Sequence, residues 1–188
     1  MKVTTRKEKS ALIAVLTINF ILFGLEIITG FISRSMGLVA DSLDMLADSI
    51  VYGLSLYAVG HAISKKKKIA RISAYLQFSL AIAGFAEVIR RFLGFEKMPV
   101  FQTMIVVSVI ALLGNAACLI ILHKRKDSGV HMKASWIFTS NDVIVNLGVI
   151  VAGILVYLTS SNKPDLIIGS IVFLLVARGA YRIYNLSK

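Results

Sequence analysis

Residues 35–63 read SMGLVADSLDMLADSIVYGLSLYAVGHAI, an apolar run interrupted by three aspartates, Asp41, Asp44 and Asp48. As a helix the run is long enough to cross a bilayer, for which about 20 apolar residues suffice. A carboxylate at bilayer depth is expensive, so three on one span ask for a functional reason. At about 100° of rotation per residue the three fall in one narrow stripe of the helix. One face of this span is therefore acidic. A fourth carboxylate, Asp142, lies in another apolar stretch, with Asn141 beside it and Asn146 one turn further on. Two helices turning carboxylates inward can make a cation site within the membrane.

Composition sets the solvent. The 188-residue chain is 57% hydrophobic and only 16% charged, with a mean hydropathy of +0.80, far from a soluble domain. The net charge of +11 does not indicate nucleic acid, because the Lys and Arg residues gather in short loops and ends rather than along a surface. The single cysteine, Cys118, lies inside an apolar run, so neither an internal disulfide nor a cysteine metal cluster can form. The basic start MKVTTRKEKS precedes an apolar run as a signal peptide would. That run continues to about Ile32, too long for a signal segment and without a small-residue cleavage pattern, and reads as the first span.

The fold expected is all-α, a polytopic membrane protein forming a single transmembrane domain over residues 1–188. Six spans are placed at approximately 10–32, 36–63, 69–93, 99–122, 133–159 and 164–184. Lys2, Arg6, Lys7 and Lys9 precede the first, Lys65 to Lys68 and Arg71 follow the second, and Lys124, Arg125, Lys126 and Lys133 flank the loop after the fourth. By the positive-inside rule these ends, and both termini, face the cytoplasm. The run Lys65 to Lys68 reads as a topology anchor.

At the second and fifth spans the sequence resembles a known family. The segment SRSMGLVADSLDMLADS (Ser33 to Ser49) is similar to the second-span signature of the cation diffusion facilitator transporters, and Asp44 and Asp48 occupy its two metal-binding places. NDVIVNLGVIVAG (Asn141 to Gly153) and PDLIIGSIVFLL (Pro164 to Leu175) resemble the family's fifth and sixth spans, with Asp142 on the Asp of the fifth-span H-x-x-x-D. Asn19, Glu26, Gly30, Gly114 and Asn115 also fit. The resemblance implies a secondary active transporter, not an enzyme, exporting a divalent transition-metal cation from the cytoplasm in exchange for protons. It also implies a homodimer, here through membrane helices. In one departure from most members the chain reads as a short form lacking the cytosolic carboxy-terminal domain. The first choice of location is a bacterial plasma (inner) membrane.

One departure matters for the site. Phe138 stands where the family presents His or Asp, and phenylalanine cannot coordinate a metal. The expected metal ligands are Asp44, Asp48 and Asp142, with Asn146 through its amide oxygen and Asp41 as weaker candidates. No cofactor is expected to be bound permanently; the substrate would be Zn²⁺, Mn²⁺, Fe²⁺, Co²⁺ or Cd²⁺. Oxygen donors without His or Cys favour the harder of these ions, Mn²⁺ among them, while Zn²⁺ also accepts carboxylates and is the family's habit. Metal and protons compete for such carboxylates, which supplies a physical basis for exchange. Gly24, Gly30, Gly53, Gly60, Gly148 and Gly153 would allow close, sliding helix contacts.

The remaining polar residues have plainer readings. Glu26 suits either a proton path or helix pairing. Glu87 has ion-pair spacing to Arg90 and Arg91, and Asn19, Gln77 and Asn115 suit interhelical hydrogen bonds. His123 and His131, with Asp127 between them, read as solvated loop residues rather than a first docking point for metal, and His61 lies about 20 Å of helix beyond Asp48. Arg178 and Arg182 are expected to snorkel to the surface, and Trp136 and Tyr184 to anchor spans at the headgroups. Two other functions are weighed. A phosphoalcohol transferase also uses an aspartate-rich helix, but nothing upstream of Asp41 supplies its Asp-Gly and Ala-Arg pairs. A non-transporting scaffold or partner subunit of the same fold is made plausible by Phe138.

Overall fold

The computed structural model describes residues 6–57, 63–94, 97–124 and 130–185. Six helices make up the described chain: α1 (Arg6–Ser33), α2 (Met36–Tyr57), α3 (Ile63–Leu93), α4 (Phe101–His123), α5 (Val130–Thr159) and α6 (Lys163–Asn185). Five of them, all but α2, are long and apolar enough to cross a membrane. What sets α2 apart is Asp41, Asp44 and Asp48 on one 22-residue helix.

Two boundaries differ from expectation. The second span does not run to Ile63, since α2 closes at Tyr57 and Ile63 already opens α3. The Lys65 to Lys68 run is thus in the first turns of α3 rather than in a loop, which suits lysine's good helix propensity. His61, Gly60 and Asp127 lie outside the described residues, as does the side chain of His131.

Helix α2 is the hub. It packs against α1, α3, α5 and α6, while α4 bridges α1 and α5, and α3 lies along α6. The main core forms where these meet, from Leu38, Val39 and Leu43 of α2, Met104 and Val107 of α4, Val145 and Val149 of α5, and Val172, Phe173 and Val176 of α6. The outer faces carry exposed Phe20, Phe31, Leu113, Ile120, Leu158 and Leu174. Such a belt would be a liability in water, and in a bilayer it is the lipid-facing surface.

Small residues set the closest contacts. A Cβ on Gly30 of α1 would stand 3.0 Å from the backbone nitrogen of Val39, and one on Gly153 of α5 would stand 2.9 Å from Ile105 of α4. Gly24 and Gly53 have open space around them instead, so their expected role in close contacts does not hold. Gln77 of α3 donates its amide to the carbonyl of Leu43 in α2. Asn19 donates to the Val15 carbonyl of its own helix at 3.0 Å and to Cys118 Sγ of α4 at 3.9 Å, and Asn115 is buried with no hydrogen-bond partner for either amide atom among the described residues. Glu87 accepts from both Arg90 and Arg91 at 2.8 Å, as its spacing predicts.

The turn from α1 to α2 is tight and heavily capped. Arg34 adopts a left-handed φ of 60°, and its carbonyl accepts a 2.7 Å hydrogen bond from Arg91. The start of α2 leaves backbone N–H groups without helical partners. Asp165 of α6 accepts from Met36 N at 2.7 Å and Gly37 N at 3.0 Å, and from the Ser35 hydroxyl at 2.6 Å. Ser35 Oγ in turn accepts from Leu38 N at 3.1 Å. A carboxylate at a helix N-terminus also gains from the helix dipole.

Candidate metal centre

The acidic stripe of α2 faces two different surroundings. Asp44 and Asp48 line a cavity of about 180 Å³ between α2, α5 and α6, far above the ~10–15 Å³ that one water needs. Asp142 of α5 lines the same cavity, as do Asn141, Arg178, Gly179 and Arg182. The three aspartates chosen from the sequence are thus brought around one space. Gly179 of α6 borders the cavity in ordinary contact range of Asp44 and Ala47: a Cβ there would stand 4.0 Å from Asp44 Oδ1 and 3.8 Å from Ala47 Cβ. Asp48 Oδ2 accepts a 3.1 Å hydrogen bond from the Tyr52 hydroxyl one turn on. That hydroxyl also meets Thr139 Oγ1 of α5 at 3.0 Å, so Tyr52 ties the two carboxylate-bearing helices together.

Asp41 and Asn146 stand apart from the cavity. Both are fully buried, and the Asn146 amide nitrogen donates to Asp41 Oδ2 at 2.7 Å. The group that the sequence offers as an oxygen ligand is here engaged through its nitrogen. Glu26 of α1, also fully buried, faces Asp41. Glu26, Asp41 and Asn146 therefore form a buried polar cluster between α1, α2 and α5, in which both Glu26 oxygens, Asp41 Oδ1 and Asn146 Oδ1 have no hydrogen-bond partner among the described residues.

Among the described residues no three His, Cys, Asp or Glu side chains stand close enough together to cage an ion. Donors from two helices face a shared space rather than a finished coordination shell. Phe138 precedes Asp142 by one helical turn on α5 and adds no donor. Three residues escape the sequence reading. Tyr52 could have been found from its spacing to Asp48, the i to i+4 interval that pairs side chains on one helix face. Arg182, expected to reach for the headgroups, also borders the cavity together with Arg178. Asp165 meets Ser35 across 130 positions, and nothing local signals that contact.

A bundle of apolar helices that turns carboxylates from two of them onto one shared cavity defines an integral membrane protein organised around a polar site. Residues 12–185 match the cation efflux transmembrane domain. The chain belongs to that family. It is 28% identical over 174 residues to the zinc transporter ZitB of Yersinia pseudotuberculosis, covering 84% of this chain and 54% of the relative. Against the metal cation efflux system protein CzcD of Cupriavidus metallidurans it is 26% identical over 166 residues, covering 80% and 51%. The vacuolar zinc transporter COT1 of Saccharomyces cerevisiae is 29% identical over 136 residues, covering 65% and 30%. The chain spans about half the length of the bacterial relatives. The matched domain is one of cation efflux, which leaves the phosphoalcohol transferase without support.

Proposed function

We propose that this protein carries a divalent transition-metal cation, Zn²⁺ or Mn²⁺ foremost, out of the cytoplasm in exchange for protons. The observation that carries the reading is the shared cavity of Asp44, Asp48 and Asp142, set in a chain whose relatives are named as zinc and metal cation efflux proteins. An ion there would be held by carboxylates from α2 and α5, with water completing its shell or the helices drawing inward around it. Protons compete for the same oxygens, so a proton gradient can drive the exchange. Tyr52 would position Asp48, and the Asp41–Asn146 hydrogen bond would hold the far side of the acidic stripe against α5. The basic clusters favour both termini in the cytoplasm. A plasma membrane location and a homodimer through membrane helices belong to the same proposal.

One observation favours a second reading. Arg182 reaches the carboxylates electrostatically, and with Phe138 on α5 the cavity is one donor short of the family pattern. On this reading the fold is a non-transporting scaffold or partner subunit. Flux of Zn²⁺ and Mn²⁺, measured separately into proteoliposomes under an imposed pH gradient, decides between the two. Flux that requires both the gradient and Asp48, compared through Asp48→Ala, supports the transporter. Flux independent of the gradient overturns proton exchange while leaving the metal site standing, and no flux of either ion from folded protein moves the weight to the scaffold.

A further inference from the structure

The cavity proposed to take a divalent cation already contains cationic side chains. Its charged wall consists of Asp44, Asp48 and Asp142 against Arg178 and Arg182. If all were ionised, the carboxylates would outnumber the guanidiniums by one. A divalent ion entering that space meets guanidiniums that already border the same carboxylates, and like charges held close together in a partly desolvated space repel.

The two arginines are not equivalent. Arg178 is exposed, whereas Arg182 is half-buried and close enough to interact electrostatically with both Asp44 and Asp48. Gly179 of α6 borders the cavity beside Asp44, and Arg182, one turn further along the same helix, lines it too. A guanidinium is planar, stays charged and is less strongly hydrated than an ammonium, so it suits such a place. Its flexible stem also lets it swing out, where a fixed ligand could not.

Resting on the reading of the cavity as a metal site, we propose that Arg182 is a tethered competitor of the transported ion: its guanidinium and the divalent cation contend for Asp44 and Asp48. The competition would keep the site from holding metal too tightly to release it. Removing it should therefore strengthen binding and slow turnover, a combination that loss of a merely structural contact would not produce.

The test is calorimetric titration of the full chain in detergent with Zn²⁺ and with Mn²⁺, at fixed pH and ionic strength. Arg182→Gln should bind roughly tenfold or more tightly than the parent, the size expected for relief from one competing charge at short range. Arg182→Lys should stay near the parent, and Arg178→Gln should shift affinity by less than about threefold, because an exposed charge is screened. Equal or weaker binding by Arg182→Gln, or equal tightening by Arg178→Gln, overturns the proposal. Should Arg182→Gln fail to fold, Arg182→Met keeps the apolar stem and is held to the same criterion. The metal reading itself is tested by adding Asp48→Ala to Arg182→Gln. Binding that survives the double substitution sinks the carboxylate site, whatever Arg182 does.

Discussion

At the turn between α1 and α2, Asp165 is buried and both its oxygens are engaged by Ser35, Met36 and Gly37. Further along α2, Asp44 and Asp48 border a cavity with Asp142 of α5, and Asp142 Oδ2 has no hydrogen-bond partner among the described residues. Both regions place carboxylates inside an apolar bundle, and both incur the same cost of desolvation. The first recovers it from the backbone and hydroxyl at the start of the next helix, with both oxygens engaged. The second sets its carboxylates around one shared cavity. A buried carboxylate thus reads as architecture or as chemistry according to whether it is seated on backbone donors or gathered with others around a space that an ion could enter.

The largest effect expected from this contrast is on transport. Asp48→Ala should reduce flux by more than the ~10–100-fold that loss of a supporting partner costs a metal site, while its thermal melt in detergent stays close to the parent. Asp165→Ala should do the reverse. It strands two backbone N–H groups and a hydroxyl at the start of α2, and should cost about 3 kcal/mol of stability, seen as a lowered melting temperature. If Asp165→Ala melted like the parent yet lost flux, the distinction between the two regions would collapse. A smaller gain is expected from Phe138→His, which should tighten Zn²⁺ binding by roughly tenfold by restoring a nitrogen donor; unchanged affinity in the same titration would mean that α5 turns this position away from the cavity. The smallest effect belongs to a carboxylate that is both satisfied and near the surface. Glu87→Gln should lower stability by no more than about 1 kcal/mol, since exposed ion pairs contribute little.

Much of this was legible along the chain because it depends on local periodicity. Apolar runs marked six helices, and the spacing of Asp41, Asp44 and Asp48 put them on one face. What the spacing could not show was that the face is divided, with Asp41 closed off by Asn146 of α5 and Asp44 open to the cavity. That division is a matter of helix pairing: α5 brings Asn146 to Asp41, while α6 brings Gly179 and Arg182 to the cavity that Asp44 lines. The place of Arg182 beside the cavity was not visible for a related reason. Snorkelling is the default for an arginine near the end of a span, and nothing in its own segment shows that it also borders the cavity lined by Asp44 and Asp48. The capping of α2 by Asp165 depends on residues far apart in the chain and leaves no pattern in either segment.

The three aspartates of α2 also constrain how the protein is made. At the centre of a membrane-inserting segment each Asp opposes partitioning by about 2.5–3.5 kcal/mol, so the three together oppose it by on the order of 8–10 kcal/mol. Leu38, Val39, Leu43, Met45 and Leu46 recover only a fraction of that, at about 0.3–0.6 kcal/mol for each of the more apolar side chains. As an isolated segment α2 would stay at the membrane surface. Only Arg34 and Ser35 separate it from α1, whose apolar length inserts readily, so the two enter lipid as a hairpin. The acidic helix that gives the bundle its site depends on its neighbour for its passage into the membrane.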